Sequence, residues 1–204
     1  MKISIITVCY NSDATIRHTI KSVLAQSYPD IEYIIVDGAS SDRTMAIVDE
    51  YEDHIAKVVS EPDKGIYDAI NKGIKLTTGD VVGILNSDDF YANKDVIRDV
   101  VCQFDLFPNS DLVFGDVVFV APDNLAKITR FYRSNHFRTW KLRFGWMPAH
   151  PATFIKRRTY DRAGLYSLDF KISSDYEMFV RLLLVYKLRF SRINKVLVRM
   201  RTGG

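Results

Sequence analysis

The apolar run Val81-Val82-Gly83-Ile84-Leu85 opens directly onto Asn86-Ser87-Asp88-Asp89. Two adjacent carboxylates repel each other, and the arrangement is destabilising unless a cation offsets it. A helix cap uses one acidic residue, so a plain cap or a solvated turn explains only half of the pattern. Paired hard oxygen ligands suit Mg2+ or Mn2+, and such a cation bridges to phosphate oxygens. Carboxylates cannot hold a nucleotide diphosphate directly, but they can hold it through a divalent metal. The pair therefore reads as a metal-diphosphate anchor, with the solvated turn as the plainer alternative.

Three other polar clusters follow apolar runs in the same way: Tyr10-Asn11, Asp37-Gly38 and Glu61-Pro62-Asp63. The elements that must position them alternate regularly. Runs rich in Ile and Val at Ile3–Val8, Ile31–Val36, Lys57–Ser60, Val81–Leu85 and Leu112–Val120 read as strands. Helix-like stretches lie between them at 13–26, 42–53, 66–77 and 93–106. Continuous apolar strands alternating with amphipathic helices predict an α/β domain with a mainly parallel sheet. Asp13 and Asp42, each beside Ser, suit the N-cap or first turn of two of these helices. In an open sheet of this kind, ligands bind beyond the carboxyl ends of the strands, so the four clusters should converge on one crevice.

The chain of 204 residues, 47% hydrophobic and 26% charged, is long enough for one globular domain with a sizeable core. No apolar run reaches the roughly 18 residues of a membrane span. The start, MKISIITVCYNSD, has no small-residue cleavage site and reads as a strand rather than a signal peptide. Cys9 and Cys102 are far apart without Cys-x-x-Cys spacing, so a reduced cytoplasmic protein without a metal-thiolate site is expected. Neither Gly-x-Gly-x-x-Gly after the first strand nor Gly-x4-Gly-Lys-Ser/Thr is present, which argues against a Rossmann dinucleotide site and a P-loop.

The net charge of +3 divides unevenly. Residues 1–123 carry 10 Lys/Arg against 21 Asp/Glu, a net −11, and residues 124–204 carry 18 against 4, a net +14. The acidic half suits a cation, and the basic half suits phosphate or an anionic surface.

Taken in order, Tyr10-Asn11, Val36-Asp37-Gly38-Ala39-Ser40-Ser41-Asp42-Arg43-Thr44, Glu61-Pro62-Asp63-Lys64-Gly65, Asn71-Lys72-Gly73, Asn86-Ser87-Asp88-Asp89, His150-Pro151-Ala152-Thr153-Phe154 and Ser173-Ser174-Asp175-Tyr176-Glu177 resemble the ordered motifs of the family 2 glycosyltransferases. The likeness spans nearly the whole chain. It implies a single GT-A-like domain over 1–204, with a nucleotide-sugar and metal half (1–123) and an acceptor half (124–204). It also implies an inverting transferase that uses Mn2+ or Mg2+ and takes a sugar from a nucleotide-diphosphate donor, most plausibly a UDP-sugar. A glycan or lipid-linked acceptor in surface polysaccharide assembly is implied with it. Relatives usually continue past Arg201-Thr202-Gly203-Gly204, so further acceptor or membrane contacts are expected beyond this point.

The resemblance places the uracil at Asp37, where a carboxylate can accept the imide N–H; capping of the following turn is the alternative. Asp42 reads as a helix cap. Lys64-Gly65 lets backbone approach a ligand, since Gly has no side chain to obstruct it. In the next helix Ile66, Ile70 and Ile74 form the expected buried stripe. Tyr67, Asp68 and Asn71 lie toward another side, within reach of the nucleoside, although Asp68 and Lys72 also form an i,i+4 ion pair. Asn86 stands where many relatives have Asp, so it is read as a hydrogen-bonding donor-site residue. Asp89 is read as a metal ligand and Asp88 as a ribose or metal ligand.

Inverting transfer needs a carboxylate to take the proton of the attacking hydroxyl. Asp175 opens an apparent helix, Tyr176–Tyr186, and would pass for an N-cap on sequence alone. Its context resembles the family's Glu-Asp base motif with Ser174 in place of Glu, which implies the catalytic base. His150, between Pro148 and Pro151, is read as touching the acceptor or the diphosphate, or as satisfying its turn.

Residues 124–160 contain no acidic side chain, and their Lys and Arg are interleaved with Phe131, Tyr132, Phe137, Trp140, Phe144 and Trp146. That combination suits the headgroup layer of an anionic membrane, and so a peripheral position at its inner face. It also suits RNA, but no RNA-binding motif accompanies it, and no nucleic acid is expected. A solvated basic face over core aromatics is the plain alternative. The competing functions are a sugar-nucleotide nucleotidyltransferase, which lacks its Gly-rich triphosphate loop here, and a non-catalytic carbohydrate- or lipid-binding module.

Overall fold

The computed structural model describes residues 1–202. Four strands form the first part of the sheet: β1 (Ile3–Cys9), β2 (Ile31–Asp37), β3 (Lys57–Ser60) and β4 (Val81–Ile84). They run parallel in the order β3-β2-β1-β4. Every residue of β1 is buried because both faces of the strand are covered; its sequence is accordingly mostly apolar, and its two polar residues, Ser4 and Thr7, are hydrogen-bonded to Glu32 and Tyr33. One face packs under α1 (Ile16–Leu24), α2 (Thr44–Asp49) and α4 (Val96–Leu106), and the other under α3 (Ile66–Leu76), α5 (Arg157–Ala163) and α6 (Ser174–Val180). The result is an α/β/α sandwich around a curled central sheet.

Beyond β4 the sheet becomes mixed. The strand β8 (Thr153–Lys156) adds antiparallel to β4, followed by β6 (Leu112–Ala121), β9 (Phe190–Arg201) and the short β5 (Phe90–Tyr91). Within this part β9 runs parallel to β6, and β7 (Asn124–Tyr132) pairs antiparallel with β6. The stretch at 112–120 is a strand as expected, but β8 from the second half lies between it and β4. Parallel pairing therefore dominates the first half, and the second half threads back into the same sheet.

Several boundaries differ from the sequence expectation. The helix expected over 42–53 divides into α2 and a 3-10 turn at Glu52–His54. The stretch at 13–26 shortens to α1, preceded by Thr15, so Asp13 is not its cap; its carboxylate lies 3.6 Å from the Arg43 guanidinium instead. Asp42 does cap, accepting the Thr44 amide at 2.9 Å. Ile66 is exposed, and the buried stripe of α3 consists of Ala69, Ile70, Gly73 and Ile74. Gly73 is required by close approach: a Cβ there would sit 2.5 Å from the Ile6 side chain, so its absence seats α3 directly on β1. The Tyr176–Tyr186 stretch is α6 followed by a π-helical turn over Arg181–Val185. Among the described residues, no helix is long and apolar enough to cross a membrane.

Candidate active site

Beyond the carboxyl ends of β1 and β4 lies a crevice of about 580 Å³ bordered by Tyr10, Asn11, Asn86 and Asp88 and by Asp63 and Gly65 from the segment after β3. The expected Asp37-Gly38 cluster after β2 does not line it. Its size falls within the range of small-molecule sites, about 300–1,000 Å³. Hydrogen bonds between side chains hold the loops around it. The Asn11 carboxamide oxygen accepts the Ser41 amide at 2.9 Å, and the Ser12 amide donates to the Thr44 hydroxyl at 2.7 Å. The hydroxyls of Ser12 and Ser87 meet at 2.8 Å, joining the ends of β1 and β4. Thr19 from α1 shares its hydroxyl between the carbonyls of Ser87 and Asp89, at 2.8 and 2.7 Å. Tyr10 is 65% exposed and offers its ring to the opening.

Gly65 has φ +118°, a backbone conformation that L side chains rarely adopt, and its amide donates to Asp63 at 2.8 Å. Its role here is this turn, which starts α3, and Lys64 beside it is exposed. Asp68 accepts the Lys64 amide at 3.0 Å and stands 3.9 Å from Lys72, so it serves the same turn and an ion pair rather than facing the crevice. Asn71 is nearly buried, and both ends of its carboxamide are engaged by the backbone of Tyr166, at 2.8 and 2.9 Å. It clips α3 to the second half and does not border the crevice.

Asp37 is fully buried. Its carboxylate accepts from the Ser40 amide at 3.0 Å, the Ser40 hydroxyl at 2.5 Å and the Ser60 hydroxyl at 2.6 Å, with the Cys9 thiol at 3.6 Å. Both oxygens are thus occupied within the chain. The carboxylate that borders the opening on this side is Asp63, whose Oδ2 lies 2.5 Å from where a Cβ on Gly38 would stand. Asp63 was not singled out as a site residue from the sequence; its signal was the Glu61-Pro62-Asp63 cluster at a strand end.

The acidic pair separates into two environments. Asp88 borders the crevice, whereas Asp89 is fully buried. The Asp89 Oδ1 atom has no hydrogen-bond partner among the described residues, and Asn86 approaches Oδ2 at 3.5 Å. Burial pushes the Asp89 carboxyl up to about 8, the Asp88 charge adds to this, and Arg201 and Asn86 pull it down. Asp88 and the orphaned Oδ1 of Asp89 are hard oxygen donors of the type a divalent ion takes. Among the described residues no third His, Cys, Asp or Glu side chain joins them, so a ligand's own oxygens would have to complete the set. One organic cation is already close: Arg201, at the end of β9, donates to the Asp88 carbonyl, donates to His18 Nδ1 at 2.8 Å and stacks over Phe90 at 5.2 Å. His18 thus accepts as a neutral imidazole, its pKa lowered by burial and by the charges of Arg201 and Lys21.

A second cleft, of about 210 Å³, contains Asp175 and His150. Asp175 lies in the first turn of α6, which follows Ser173 at φ +70°. Its Oδ1 accepts the Tyr67 hydroxyl at 3.0 Å and the Tyr176 amide at 2.9 Å. Ser174 is buried, and its hydroxyl donates to the Ser167 carbonyl at 2.8 Å. His150 Nε2 meets the Tyr166 hydroxyl at 2.8 Å, and Tyr166 stacks on Tyr67 with centroids 5.8 Å apart. Burial lowers the His150 pKa and the nearby Asp175 charge raises it, leaving it below the ordinary histidine value. The two clefts adjoin through sequence neighbours: Ile66 borders the first and Tyr67 touches Asp175, while Met200 borders the second and Arg201 touches Asp88.

The family model described as Glycosyl transferase family 2 matches residues 4–163, the parallel half together with β8 and α5. The chain belongs to this family. A family 2 glycosyltransferase reading also fits its relatives. The chain is 35% identical over 187 residues to an uncharacterised glycosyltransferase of Mycobacterium tuberculosis (strain CDC 1551 / Oshkosh), covering 90% of this chain and 69% of that one. It is 29% identical over 181 residues to a PGL/p-HBAD biosynthesis glycosyltransferase of Mycobacterium bovis (strain BCG / Pasteur 1173P2), covering 87% and 68%. The crystal structure of S. aureus TarS 1-349 in complex with UDP-GlcNAc superposes with a TM-score of 0.75 at 19% identity, covering 100% of this chain and 59% of that one. Mannosyltransferase PcManGT from Pyrobaculum calidifontis, in complex with GDP-Man and Mn2+, superposes with a TM-score of 0.69 at 21% identity, covering 98% and 56%. These likenesses establish the GT-A fold, and the chain spans a little under three-fifths of the length of these two solved chains.

Proposed function

We propose that this family 2 chain is an inverting, metal-dependent transferase that moves a hexosyl or N-acetylhexosaminyl group from a UDP-sugar to a hydroxyl of a glycan or lipid-linked acceptor in surface polysaccharide assembly. The observation that carries the reading is the pairing of an acidic crevice with an adjoining cleft that contains a further carboxylate. Residues 1–123 then form the donor half, and residues 124–204 contribute most of the acceptor half.

In this reading the nucleoside lies between Tyr10 and the Gly65 turn, with Asp63 as the carboxylate at the base side and Asp37 buried behind it, holding the Ser40 and Ser60 hydroxyls. Asp88 and Asp89 would hold Mn2+ or Mg2+; a divalent ion is consistent with the mannosyltransferase of similar fold, whose structure is in complex with GDP-Man and Mn2+. Bound there, the cation would offset the charge of the departing diphosphate. The acceptor oxygen forms its bond to the anomeric carbon as the bond from that carbon to the diphosphate oxygen breaks. Asp175, with Oδ1 engaged by Tyr67, takes the hydroxyl proton on Oδ2. A fixed hydrogen bond on one oxygen orients the other, which is the geometry a general base needs.

UDP release from UDP-sugars, measured with Mn2+ or Mg2+ and after chelation, tests the proposal. Cation-dependent release of UDP is expected. Release of pyrophosphate from a nucleoside triphosphate would favour the nucleotidyltransferase instead, and binding without turnover would favour a non-catalytic module.

A further inference from the structure

The walls of the Asp175 cleft point to the kind of acceptor it takes. They are formed by Val117, Phe119, Tyr132, Met147 and Met200, with His150 and Asp175 as the polar groups. The Tyr132 hydroxyl is already engaged, donating to the Met147 carbonyl at 2.6 Å. On His150 the Nε2 atom is engaged with Tyr166, and on Asp175 the Oδ1 atom is engaged with Tyr67 and the Tyr176 amide. Among the side chains of the described residues that line the cleft, one ring nitrogen of His150 and one carboxylate oxygen of Asp175 remain, enough for the attacking hydroxyl and one neighbour. Each further hydroxyl buried here would lose water without gaining a partner.

Charge narrows the choice further. Arg130 stacks over Phe119 and Tyr132 at 5.2 and 5.8 Å but does not border the cleft, whereas the Asp175 carboxylate does. An anionic ring would therefore meet like charge. The volume, about 210 Å³, suits a single ring at the reacting end of the acceptor, and thioether walls adapt to an apolar surface.

We propose that this cleft receives an uncharged acceptor ring with an apolar face beside its nucleophilic hydroxyl, either a 6-deoxyhexose or a phenolic ring, in preference to a fully hydroxylated or acidic sugar. The assignment rests on Asp175 being the base of the proposed transferase, but it is read by binding rather than by turnover.

Calorimetry on the full chain loaded with UDP and Mg2+ tests it, with four probes. These are methyl α-L-rhamnopyranoside, methyl α-L-mannopyranoside (which differs by the C6 hydroxyl), 4-methylphenol and methyl β-D-glucuronide. The rhamnoside is expected to bind about tenfold more tightly than the mannoside, the scale on which an apolar pocket discriminates by one small group. The glucuronide should bind weakest. Whether the rhamnoside or the phenol binds better distinguishes the two ring types. Met200→Gln and Met147→Gln, both at partly exposed positions, should each erase the rhamnoside preference and leave UDP affinity unchanged. Equal or tighter binding of the mannoside or the glucuronide would overturn the assignment. So would failure of both apolar probes to bind, or a preference that survives both substitutions. Failure of the base reading would appear separately, as an Asp175→Asn variant that still transfers sugar.

Discussion

At the scale of single residues, the contact between Tyr67 and Asp175 carries the most consequence. A phenol donating to a carboxylate fixes which oxygen faces the acceptor, and a hydrogen bond to a charged group contributes about 1.5–3 kcal/mol. Tyr67→Phe keeps the ring that stacks on Tyr166 and removes the donor. We expect kcat to fall on the order of 10- to 100-fold while UDP affinity by calorimetry stays unchanged, since Tyr67 does not border the nucleotide crevice. An unchanged kcat would deny Tyr67 this role. The local pattern at the end of an apolar strand points to Asp88 and Asp89, whereas Asp175 passes for an N-cap on pattern alone and is marked as a base only by the family resemblance of its context. The sequence could not indicate their partners. Tyr67 and Asp175 are 108 positions apart, Asn71 and Tyr166 are 95 apart, and Arg201 and Asp88 are 113 apart. No period or motif records such distances, so Asn71 and Asp68 were read toward the nucleoside when their side chains serve the scaffold.

Among the elements, β1 and β2 are tied by a buried carboxylate. Glu32 accepts from Ser4 at 2.6 Å and from the amide and hydroxyl of Thr78, both at 2.7 Å, pinning β2 to β1 and to the turn before β4. Burial alone would raise its pKa, but these hydrogen bonds and the Lys2 charge outweigh it and bring the carboxyl down to about 2. A carboxylate whose folded pKa is depressed stabilises the fold above its unfolded pKa, and that stability is lost as pH falls through the folded value. Denaturant titrations should therefore show stability falling from about pH 4.5 toward pH 2. Glu32→Gln should flatten part of this slope, and an identical slope in that variant would assign the acid sensitivity to other groups. The elements of the parallel half were legible because buried parallel strands and amphipathic helices leave local patterns. The placement of β8 between β4 and β6 was not, because it depends on pairing between distant segments.

For the whole molecule, the division of charge is the governing feature. The strand β7 and the turn at Thr139–Phe144 bring basic and aromatic residues to the surface, with Trp140 57% and Phe144 78% exposed. Other aromatics of the same stretch are core: Phe137 is fully buried and packs on Phe114, Phe190 and Trp146. Part of the stretch is thus scaffold, and the rest remains free for an anionic surface. Cosedimentation with anionic vesicles should weaken as salt rises, since the Debye length is about 8 Å at physiological ionic strength. Binding indifferent to lipid charge and to salt would rule out this surface as an electrostatic one.

In the proposed function Asp175 serves the acceptor while the adjoining crevice holds the donor. Asp175→Asn preserves the side chain's shape, and Asn is as good as Asp near a helix start, so the fold should be spared. Transfer and UDP affinity measured together on this variant give the most direct test. The account predicts an unchanged melting temperature, UDP affinity within about twofold and sugar transfer reduced about 10²–10⁴-fold, the usual contribution of a general base. Near-normal turnover by a folded Asp175→Asn protein would contradict it.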